Sequence, residues 1–366
     1  MSKTILCVVG TRPEAIKMAP VILRLRADST FNVRVLATAQ HRDLLDQILT
    51  CFNIKPDIDL DIMRPNQSLA SLTSALLDKI DAVLADIRPD LVIGQGDTTT
   101  VMATALACFY RRVPFAHVEA GLRTRDLDNP FPEEMNRIVA GRLAALHFAP
   151  TETSRDNLLR EHIPEDRIWV TGNTVIDALR TVASMQPSLG IDIDDTKRMI
   201  LVTAHRRENF GAPLERICQA IRQVADANDD VEVLFPVHPN PHVRQTAHKL
   251  LSNHPRIRLC LPLDYVPFVA AMQKSYLILS DSGGVQEEAP ALGKPVLVLR
   301  EETERPEAVE AGVVKLVGTE TAVVTSAVQR MLDDADEYAR AARGVSPYGD
   351  GQAAQRIFDV VRKTLV

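Results

Sequence analysis

The sequence predicts an α/β protein made of two similar, doubly wound domains. Short apolar runs of strand length alternate with amphipathic helical runs through most of the 366 residues, which is typical of parallel sheets covered by helices on both faces. The alternation pauses at a stretch containing proline and several aspartates, Ser184 to Lys197, and restarts at the apolar run Met199 to Thr203. A chain of this length is long for one such domain, so a junction near that stretch is expected.

The first half carries strands and helices in regular order. The first strand is predicted at Thr4 to Val9 and the first helix at Pro13 to Ala27, where proline suits the first helical turn. The elements predicted after them are Val33 to Ala37, His41 to Phe52, Ser68 to Ile87, Leu91 to Ile93, Thr98 to Tyr110, Phe115 to Val118, Glu133 to Ala145, Leu146 to Phe148 and Ile168 to Val170.

The second half repeats the rhythm. Its predicted strands are Met199 to Thr203, Val231 to Phe235, Ile257 to Leu261, Leu277 to Leu279, Val296 to Leu299 and Val313 to Leu316. Helices are predicted between them, and a last helix at Gly351 to Leu365 carries apolar residues at helical spacing.

Composition excludes several classes of function. Aromatic residues are only 4% and the formal charge is −6, which argues against a nucleic-acid binder. No apolar run has the length of a membrane span, and the N-terminus is predicted to be a strand rather than a signal peptide. The five cysteines are isolated, as expected for reduced thiols in the cytosol. No metal-ligand spacing and no GxGxxG fingerprint occurs, so neither a metal nor a nicotinamide cofactor is indicated.

Polar loops follow six of the predicted strands. In open parallel sheets, ligands bind beyond the carboxyl ends of the strands, and packing alone does not explain so many polar loops there. The loops cover Gly10 to Lys17, Gly94 to Thr100, Val118 to Arg123, His205 to Asn209, His238 to Asn240 and Asp281 to Glu288.

The loop that begins at Asp281 has the features of an anion site. Ser282, Gly283 and Gly284 lie between an apolar strand and a predicted helix from Val285 to Leu292, where backbone N–H groups suit a phosphate or diphosphate. Glu288, one turn later, could accept hydrogen bonds from a vicinal diol. An ordinary strand-to-helix turn with a capping residue is the alternative.

Four carboxylates are candidates for acid–base chemistry. Glu119 ends an apolar strand, a setting in which a carboxylate can act as acid or base. Asp97 could equally be a helix N-cap. Glu133 and Glu134 begin a helix, where negative charge is favourable in any case.

Cations and one aromatic residue complete the candidates. Arg12 and Lys17 suit an anion, although Lys17 could simply lie on a solvated helix face. His205 ends a buried strand and could contact phosphate or transfer a proton. Arg305 could reach a nucleotide or lie at a helix start, and Phe268 could cover a base or belong to the core.

Eight motifs are distributed along nearly the whole chain: Gly10 to Pro20, Gly96 to Thr100, His117 to Arg123, Pro132 to Glu134, Thr171 to Asp177, Asp281 to Glu288, Thr303 to Glu307 and Pro347 to Gly351. Together they resemble the motifs of the non-hydrolysing UDP-N-acetylglucosamine 2-epimerases of bacteria. The resemblance implies a GT-B-type fold, with two Rossmann-like domains, a central cleft and a C-terminal helix returning to the first domain. It places residues 1–172 and 350–366 in one domain and 173–349 in a UDP-binding domain. It also implies a cytoplasmic homodimer without a cofactor.

The reaction implied by the resemblance interconverts UDP-N-acetylglucosamine and UDP-N-acetylmannosamine, as precursors of surface polysaccharide. Removal of the C2 proton with anti elimination of UDP gives 2-acetamidoglucal, to which UDP adds back. Asp97, Glu119 and Glu133 match the family's catalytic acids, and His205 matches a histidine at the diphosphate. Two faces of one carbon require separate proton-handling groups.

The resemblance also assigns binding residues. Phosphate-binding positions are matched by Arg12, Lys17, Ser282, Gly283 and Gly284, the ribose ligand by Glu288, the uracil pocket by Phe268 and a further UDP contact by Arg305. A second, activating UDP-N-acetylglucosamine site of some members is matched in part by Gln40, Glu134, Arg206 and His238. Three positions depart from the family pattern: Leu263 stands for a uracil-side Gln, and Asp43 and Asn66 stand for Gln and Arg of the activating site.

Three other functions remain open from the residues. A relative could act on another UDP-sugar, such as a diacetamido uronic acid. A GT-B glycosyltransferase shares the glutamate-rich segment from Glu287 to Pro295 but needs no set of three carboxylates. A non-catalytic nucleotide-sugar sensor would bind UDP without turnover.

Overall fold

Two parallel sheets organise the chain, as the alternating pattern predicts. The computed structural model describes residues 2–38, 42–64, 66–303 and 305–366, without the side chains of residues 42–44. The chain divides into two compact units: unit 1 comprises Met1–Ala178 with Tyr348–Val366, and unit 2 comprises Leu179–Pro347. The domain boundaries predicted from the sequence, after residues 172 and 349, stay a prediction.

Unit 1 contains a seven-stranded sheet within its described residues. The strands are β1 (Lys3–Val9), β2 (Phe31–Ala37), β3 (Ile58–Asp59), β4 (Leu91–Gln95), β5 (Phe115–Val118), β6 (Leu146–Ala149) and β7 (Ile168–Val170). The helices are α1 (Arg12–Arg26), α2 (Arg42–Cys51), α3 (Leu69–Ile87), α4 (Thr99–Arg111), α5 (Glu133–Leu143), α6 (Glu152–Arg160) and α7 (Thr174–Ser184), which crosses into unit 2.

The strand order of this sheet is β3-β2-β1-β4-β5-β6-β7, and every pairing is parallel. Strands are added toward one edge of the sheet from β1 to β3 and toward the other edge from β4 onward. The switch point therefore lies between β1 and β4, and ligands bind at such points in open sheets. Because helices cover both faces, central strands are apolar throughout: Ile5, Leu6 and Cys7 of β1 are all fully buried.

The described residues of unit 2 form a six-stranded parallel sheet. Its strands are β8 (Arg198–Thr203), β9 (Val231–Pro236), β10 (Ile257–Cys260), β11 (Leu277–Ser280), β12 (Val296–Val298) and β13 (Val314–Leu316), in the order β10-β9-β8-β11-β12-β13. The helices are α8 (Ala212–Ala227), α9 (Pro241–Leu251), α10 (Tyr265–Lys274), α11 (Gly283–Ala291), α12 (Pro306–Glu310), α13 (Thr321–Asp333) and α14 (Ala335–Ala341). Here the switch point lies between β8 and β11.

The last helix, α15 (Ala353–Leu365), belongs to unit 1, which confirms the predicted return. Its apolar face packs on α1 and β2: the Phe358 and Phe31 rings meet edge to face at 6.1 Å, and Arg24 lies over the Phe358 ring. Asp177 accepts hydrogen bonds from the N–H groups of Ala353 and Ala354, at 3.2 and 2.9 Å. These N–H groups have no acceptor within the helix, so the carboxylate caps its start.

Three differences from the predicted elements have local causes. Strand β3 was not predicted because it has only two residues and follows Asp57, a polar residue in a short connection. Helix α11 begins at Gly283 rather than Val285, so both glycines lie in its first turn. The last helix begins at Ala353 rather than Gly351, whose φ of +78° is incompatible with a right-handed helix. Within the described residues no helix combines the length and the apolarity needed to cross a membrane.

Candidate active site

The junction of β1 and α1 is built around the buried carboxylate of Glu14. Thr11 is the N-cap, and Glu14 Oε2 accepts hydrogen bonds from the N–H groups of Gly10 and Thr11, at 2.5 and 2.7 Å. This is a capping box, in which side chain and backbone satisfy each other's groups. Glu14 Oε1 also accepts a hydrogen bond from the Thr98 hydroxyl. The same carboxylate therefore ties the loop after β1 to the loop after β4.

Burial sets the acidity of Glu14. The side chain is 2% exposed, and desolvation raises its pKa to about 7, against the lowering effect of the hydrogen bonds from Thr98, Gly10 and Thr11. Sequence reasoning did not single out this residue. Its signal was the Thr-x-x-Glu spacing of a capping box at the start of a helix.

Glu119 follows β5 at a sharp turn. Its φ is +62°, in the left-handed region that non-glycine residues rarely adopt. Its carboxylate Oε2 accepts hydrogen bonds from Lys17 Nζ and Gln95 Nε2, both at 2.5 Å. The strand before Glu119 is apolar, as the sequence indicates. The expectation that the carboxylate itself lies in an apolar setting is wrong, because it lies between an ammonium and an amide.

Asp97 follows β4, next to β5 in the sheet. Its Oδ2 accepts a hydrogen bond from Arg137 Nη2, and its backbone carbonyl accepts one from Asn136 Nδ2 at 2.9 Å. The alternative interpretation of Asp97 as a helix N-cap is wrong, because Thr98 caps α4 by accepting from the Val101 N–H. Helix α5 thus orients Asp97 from outside its own loop.

The loops that carry Asp97 and Glu119 are held together by hydrogen bonds. The Gly96 N–H donates to the Val118 carbonyl at 3.0 Å, and the Gly96 carbonyl is 2.7 Å from His117 Nε2. Burial lowers the pKa of His117 to about 4, so its ring is neutral near pH 7 and Nε2–H is the donor to that carbonyl. The two carboxylates therefore extend from adjacent, mutually bonded strand ends.

Glu133 and Glu134 occupy the first turn of α5 but differ in burial. Glu133 is half-buried, whereas Glu134 is fully buried. Glu134 accepts hydrogen bonds from the N–H groups of Thr124 and Arg125, at 3.0 and 2.8 Å, and from Arg137 Nη1 at 3.2 Å. Arg137 therefore bridges Glu134 and Asp97.

In unit 2, the buried carboxylate of Asp281 anchors the loop after β8. Its Oδ2 accepts hydrogen bonds from the N–H groups of His205 and Arg206, both at 2.8 Å, and from Asn209 Nδ2 at 3.0 Å. The other oxygen, Oδ1, lies 3.3 Å from His205 Nδ1. Since β8 and β11 are neighbours, the switch point of this sheet brings these residues together.

The His205 ring is half-buried and stacks on the exposed ring of His238, with centroids 5.6 Å apart. Desolvation by burial lowers its pKa, and the neighbouring His238 and Arg206 lower it further, whereas Asp281 raises it. The net direction is downward, so the ring is neutral at pH 7.

The start of α11 carries the three residues predicted to bind the anion. Ser282 is the N-cap residue, and its side chain makes no capping hydrogen bond. A Cβ added to Gly283 would lie 3.7 Å from Arg206 Nη2, and one added to Gly284 would lie 3.7 Å from Glu288 Oε2. A guanidinium and a carboxylate therefore flank a helix N-terminus whose first N–H groups have no intrahelical acceptor.

Residues from α10 and the loop before α12 surround α11. Tyr265 donates a hydrogen bond to Glu288 Oε1 at 3.2 Å, and Phe268 is half-buried one turn later. Arg305 is bound to Glu287 through its Nε, while Thr303 bonds Gln286 at 2.6 Å.

The structure gathers the predicted residues into two clusters, one in each unit. The unit 1 cluster comprises Asp97, Glu119, Glu134 and Lys17. Half-buried Arg12 and Glu133 lie at the starts of α1 and α5, the helices that carry Lys17 and Glu134. The unit 2 cluster comprises His205, Arg206, His238, Ser282, Gly283, Gly284 and Glu288, with Arg305 joined to α11. Gln40 lies outside the described residues, as does the side chain of Asp43.

Sequence reasoning missed the residues that hold these side chains. They are Glu14, Gln95, Arg137, Tyr265 and Asp281. Among the described residues no group of three His, Cys, Asp or Glu side chains could hold a metal ion.

Two Rossmann-like units, one with a carboxylate cluster and one with a glycine-rich helix start, define an α/β protein of the GT-B type. The chain belongs to the UDP-N-acetylglucosamine 2-epimerase family, whose model matches residues 23–362. This confirms the resemblance seen in its motifs.

Relatives and solved structures match this chain over nearly its whole length. The UDP-N-acetylglucosamine 2-epimerase of Salmonella typhimurium is 52% identical, with 98% of both chains covered. The Neisseria meningitidis UDP-GlcNAc 2-epimerase, solved bound to UDP-GlcNAc, is 48% identical with a TM-score of 0.88, covering 98% of this chain and 100% of that one. A Listeria monocytogenes structure described as a putative UDP-N-acetylglucosamine 2-epimerase has a TM-score of 0.93 at 45% identity, covering 100% and 97%.

Proposed function

We propose that this chain interconverts UDP-N-acetylglucosamine and UDP-N-acetylmannosamine by proton transfer at sugar C2 and reversible elimination of UDP. The observation that carries the proposal is the pair of carboxylates, Asp97 and Glu119, on adjacent strand ends of unit 1. Membership of the family supports the substrate, as does the Neisseria relative solved with UDP-GlcNAc bound. The product would serve as a precursor of surface polysaccharide.

Unit 2 is proposed to hold the nucleotide. The start of α11, with Ser282, Gly283 and Gly284, offers N–H groups and the positive end of the helix dipole to the diphosphate. Glu288, held by Tyr265, accepts hydrogen bonds from the ribose diol. Phe268 is proposed at the uracil, and Arg305 at a further UDP contact.

Unit 1 is proposed to move the protons. The C2 hydrogen is weakly acidic, so a carboxylate must act as base while the departing UDP is stabilised. Inversion requires a second group on the opposite face of C2, and Asp97, Glu119 and Glu133 supply the candidates. Lys17 donates a hydrogen bond to Glu119. Lys17 and Arg12 are the cations of this unit that are proposed to contact the anionic substrate.

His205 is proposed at the diphosphate, which belongs to the leaving group, and not at the sugar carbon that loses its proton. Its neutral ring can take up or release one proton as the diphosphate leaves and returns. Arg206 lies beside Gly283, so a contact with the same diphosphate is an alternative to the activating site matched by the family pattern.

The second, activating UDP-N-acetylglucosamine site remains a proposal for Gln40, Glu134, Arg206 and His238. Assays that start from UDP-N-acetylmannosamine, with and without added UDP-N-acetylglucosamine, test it. Turnover that needs no added activator would contradict it.

A homodimer in the cytoplasm is also proposed. The five cysteines are free thiols, which fits a reducing compartment. Phe109 and Tyr110 are 60% and 63% exposed at the end of α4, where a second copy could cover them. Sedimentation equilibrium of the wild type and of Phe109→Ser tests the association.

Incubation of the enzyme with UDP-N-acetylglucosamine in heavy water tests the chemistry. We expect deuterium at C2 of both sugars at equilibrium, because each passage through the glucal exchanges that hydrogen with solvent. Products without label would refute the proton-transfer route.

Further assays separate the other functions. A panel of UDP-sugars would identify a preference for a diacetamido uronic acid. Transfer to an acceptor without exchange at C2 would indicate a glycosyltransferase, and UDP binding without turnover would indicate a sensor.

A further inference from the structure

Asp281 is a buried carboxylate to which the proposed reaction assigns no role. It is fully buried, and its Oδ2 accepts the three hydrogen bonds that anchor the loop after β8. Within the described part of the chain its Oδ1 has no hydrogen-bond partner, although His205 Nδ1 lies 3.3 Å away. A buried carboxylate oxygen without a donor is costly, and His205 Nδ1 is a ring nitrogen near enough to supply one.

We propose that Asp281 is the positioning residue of His205: its Oδ1 holds the Nδ1–H tautomer, which leaves the lone pair on Nε2. The proposal rests on the proposed function only in assigning His205 to the reaction. Asp281 touches no substrate atom and acts through the imidazole alone.

The environment of the ring is consistent with this division of roles between its nitrogens. The groups that face it are the Asp281 carboxylate, the stacked His238 ring and the Arg206 guanidinium. Burial keeps the ring neutral, so a single proton must reside on one nitrogen. The carboxylate favours Nδ1 for that proton. If Nε2 takes up a proton during turnover, the resulting imidazolium is stabilised by the same carboxylate, as in Ser-His-Asp triads.

A purely structural role is the alternative, since Oδ2 alone anchors the loop. Asp281→Asn separates the two roles. Its side-chain oxygen can still accept from the loop N–H groups, while its NH2 group faces His205 Nδ1. That nitrogen must then accept, and the proton moves to Nε2. In Ser-His-Asp triads the equivalent exchange lowers kcat about 10⁴-fold with the geometry intact.

The direct test is NMR of the full chain with ¹⁵N-labelled histidine, with the His205 signals assigned by their loss in His205→Gln. We expect an Nδ1–H tautomer in the wild type and an Nε2–H tautomer in Asp281→Asn. We also expect kcat of Asp281→Asn to fall at least about 100-fold, with the Kd for UDP within about threefold of wild type. An Nε2–H tautomer in the wild type, or an unchanged tautomer in Asp281→Asn, would overturn the proposal.

Two further variants separate orientation from folding. Asn209→Ala removes one donor to Oδ2 without touching the His205 contact, so it should keep the wild-type tautomer. The double variant His205→Gln with Asp281→Asn should be no slower than His205→Gln alone, because Asp281 acts only through the ring. An additive loss would contradict that.

The tautomer is read without turnover, so it distinguishes the two proposals. A wild-type chain that fails to epimerise but shows the Nδ1–H tautomer would contradict the proposed function and not the role of Asp281. If Asp281→Asn does not fold, an Nε2–H tautomer in the wild-type spectrum would still overturn the proposal.

Discussion

The ammonium group of Lys17 lies 2.5 Å from the carboxylate Oε2 of Glu119, although 102 residues separate them in the chain. The contact joins α1 to the end of β5, with β4 between β1 and β5 in the sheet. Gln95, from β4, donates to the same oxygen at 2.5 Å. One carboxylate thus receives donors from a helix and from a neighbouring strand, which hold it in one orientation.

Glu119→Gln should abolish proton transfer and leave nucleotide binding intact. An amide cannot act as a base, so we expect kcat to fall roughly 1,000-fold or more, measured with deuterium incorporation at C2. The Kd for UDP, measured by calorimetry, should stay within about threefold, since the proposed UDP site lies in unit 2. Glu152→Gln, which changes an exposed carboxylate beside Arg155, is the control and should keep near wild-type turnover.

Arg137→Met should slow the reaction by releasing Asp97. The guanidinium binds both Asp97 and Glu134 and is itself largely buried. Its loss leaves fully buried Glu134 with one donor fewer, so we expect kcat to fall roughly 10- to 100-fold and the free energy of unfolding to fall by about 2 to 4 kcal/mol.

Arg142→Met provides the matched control for Arg137. Arg142 lies on the same helix, and its hydrogen bond to the Glu161 carbonyl is exposed. We expect its stability change to stay within about 0.5 kcal/mol. Equal effects of the two variants on kcat would argue against a role of Arg137 in orienting Asp97.

Glu14 should make the protein less stable as pH rises from about 4.5 to about 7. Its folded pKa, about 7, lies above the unfolded value of 4.5, so in this window the folded state binds more protons than the unfolded state. Stability therefore falls with rising pH, by up to about 3 kcal/mol for this group. Below the unfolded pKa the group costs nothing.

Denaturant unfolding of the wild type and Glu14→Gln across that pH range tests the sign. The stability difference between them should shift in favour of Glu14→Gln as pH rises. A difference that stays constant from pH 4.5 to 7.5 would show that Glu14 keeps an ordinary pKa when folded.

Gly283→Ala should weaken UDP binding without unfolding the protein. The added Cβ would lie 3.7 Å from Arg206 Nη2, an ordinary contact distance, and alanine is a better helix former than glycine. It would occupy space beside the helix N–H groups proposed to bind phosphate, so we expect the Kd for UDP to rise about 10-fold or more. Affinity for uridine, which lacks the diphosphate, should change less than twofold. Equal losses for both ligands would argue against a diphosphate at this turn.

Much of the fold is predictable because hydrophobic periodicity is a local property. The run Thr4 to Val9 predicted a buried strand, and β1 covers Lys3–Val9. Helix starts were less predictable: Gly283 and Gly284 were expected before α11, but they form its first turn, since the N-cap falls on Ser282. Element ends depend on backbone partners that a residue pattern does not contain.

Within the site, the residue types were predictable and their partners were not. The order of residues alone placed Asp97 and Glu119 at the ends of strands and Ser282 at a helix start, because alternation and glycine-containing loops mark such positions. Asp97 is paired with Arg137, and Asp281 with His205. Both pairings depend on the order of strands in each sheet. A parallel sheet brings β8 beside β11 across 77 residues of chain, from Thr203 to Ser280. Which distant side chains share a hydrogen bond is settled by that packing, since no local pattern encodes the distance between atoms so far apart in the chain.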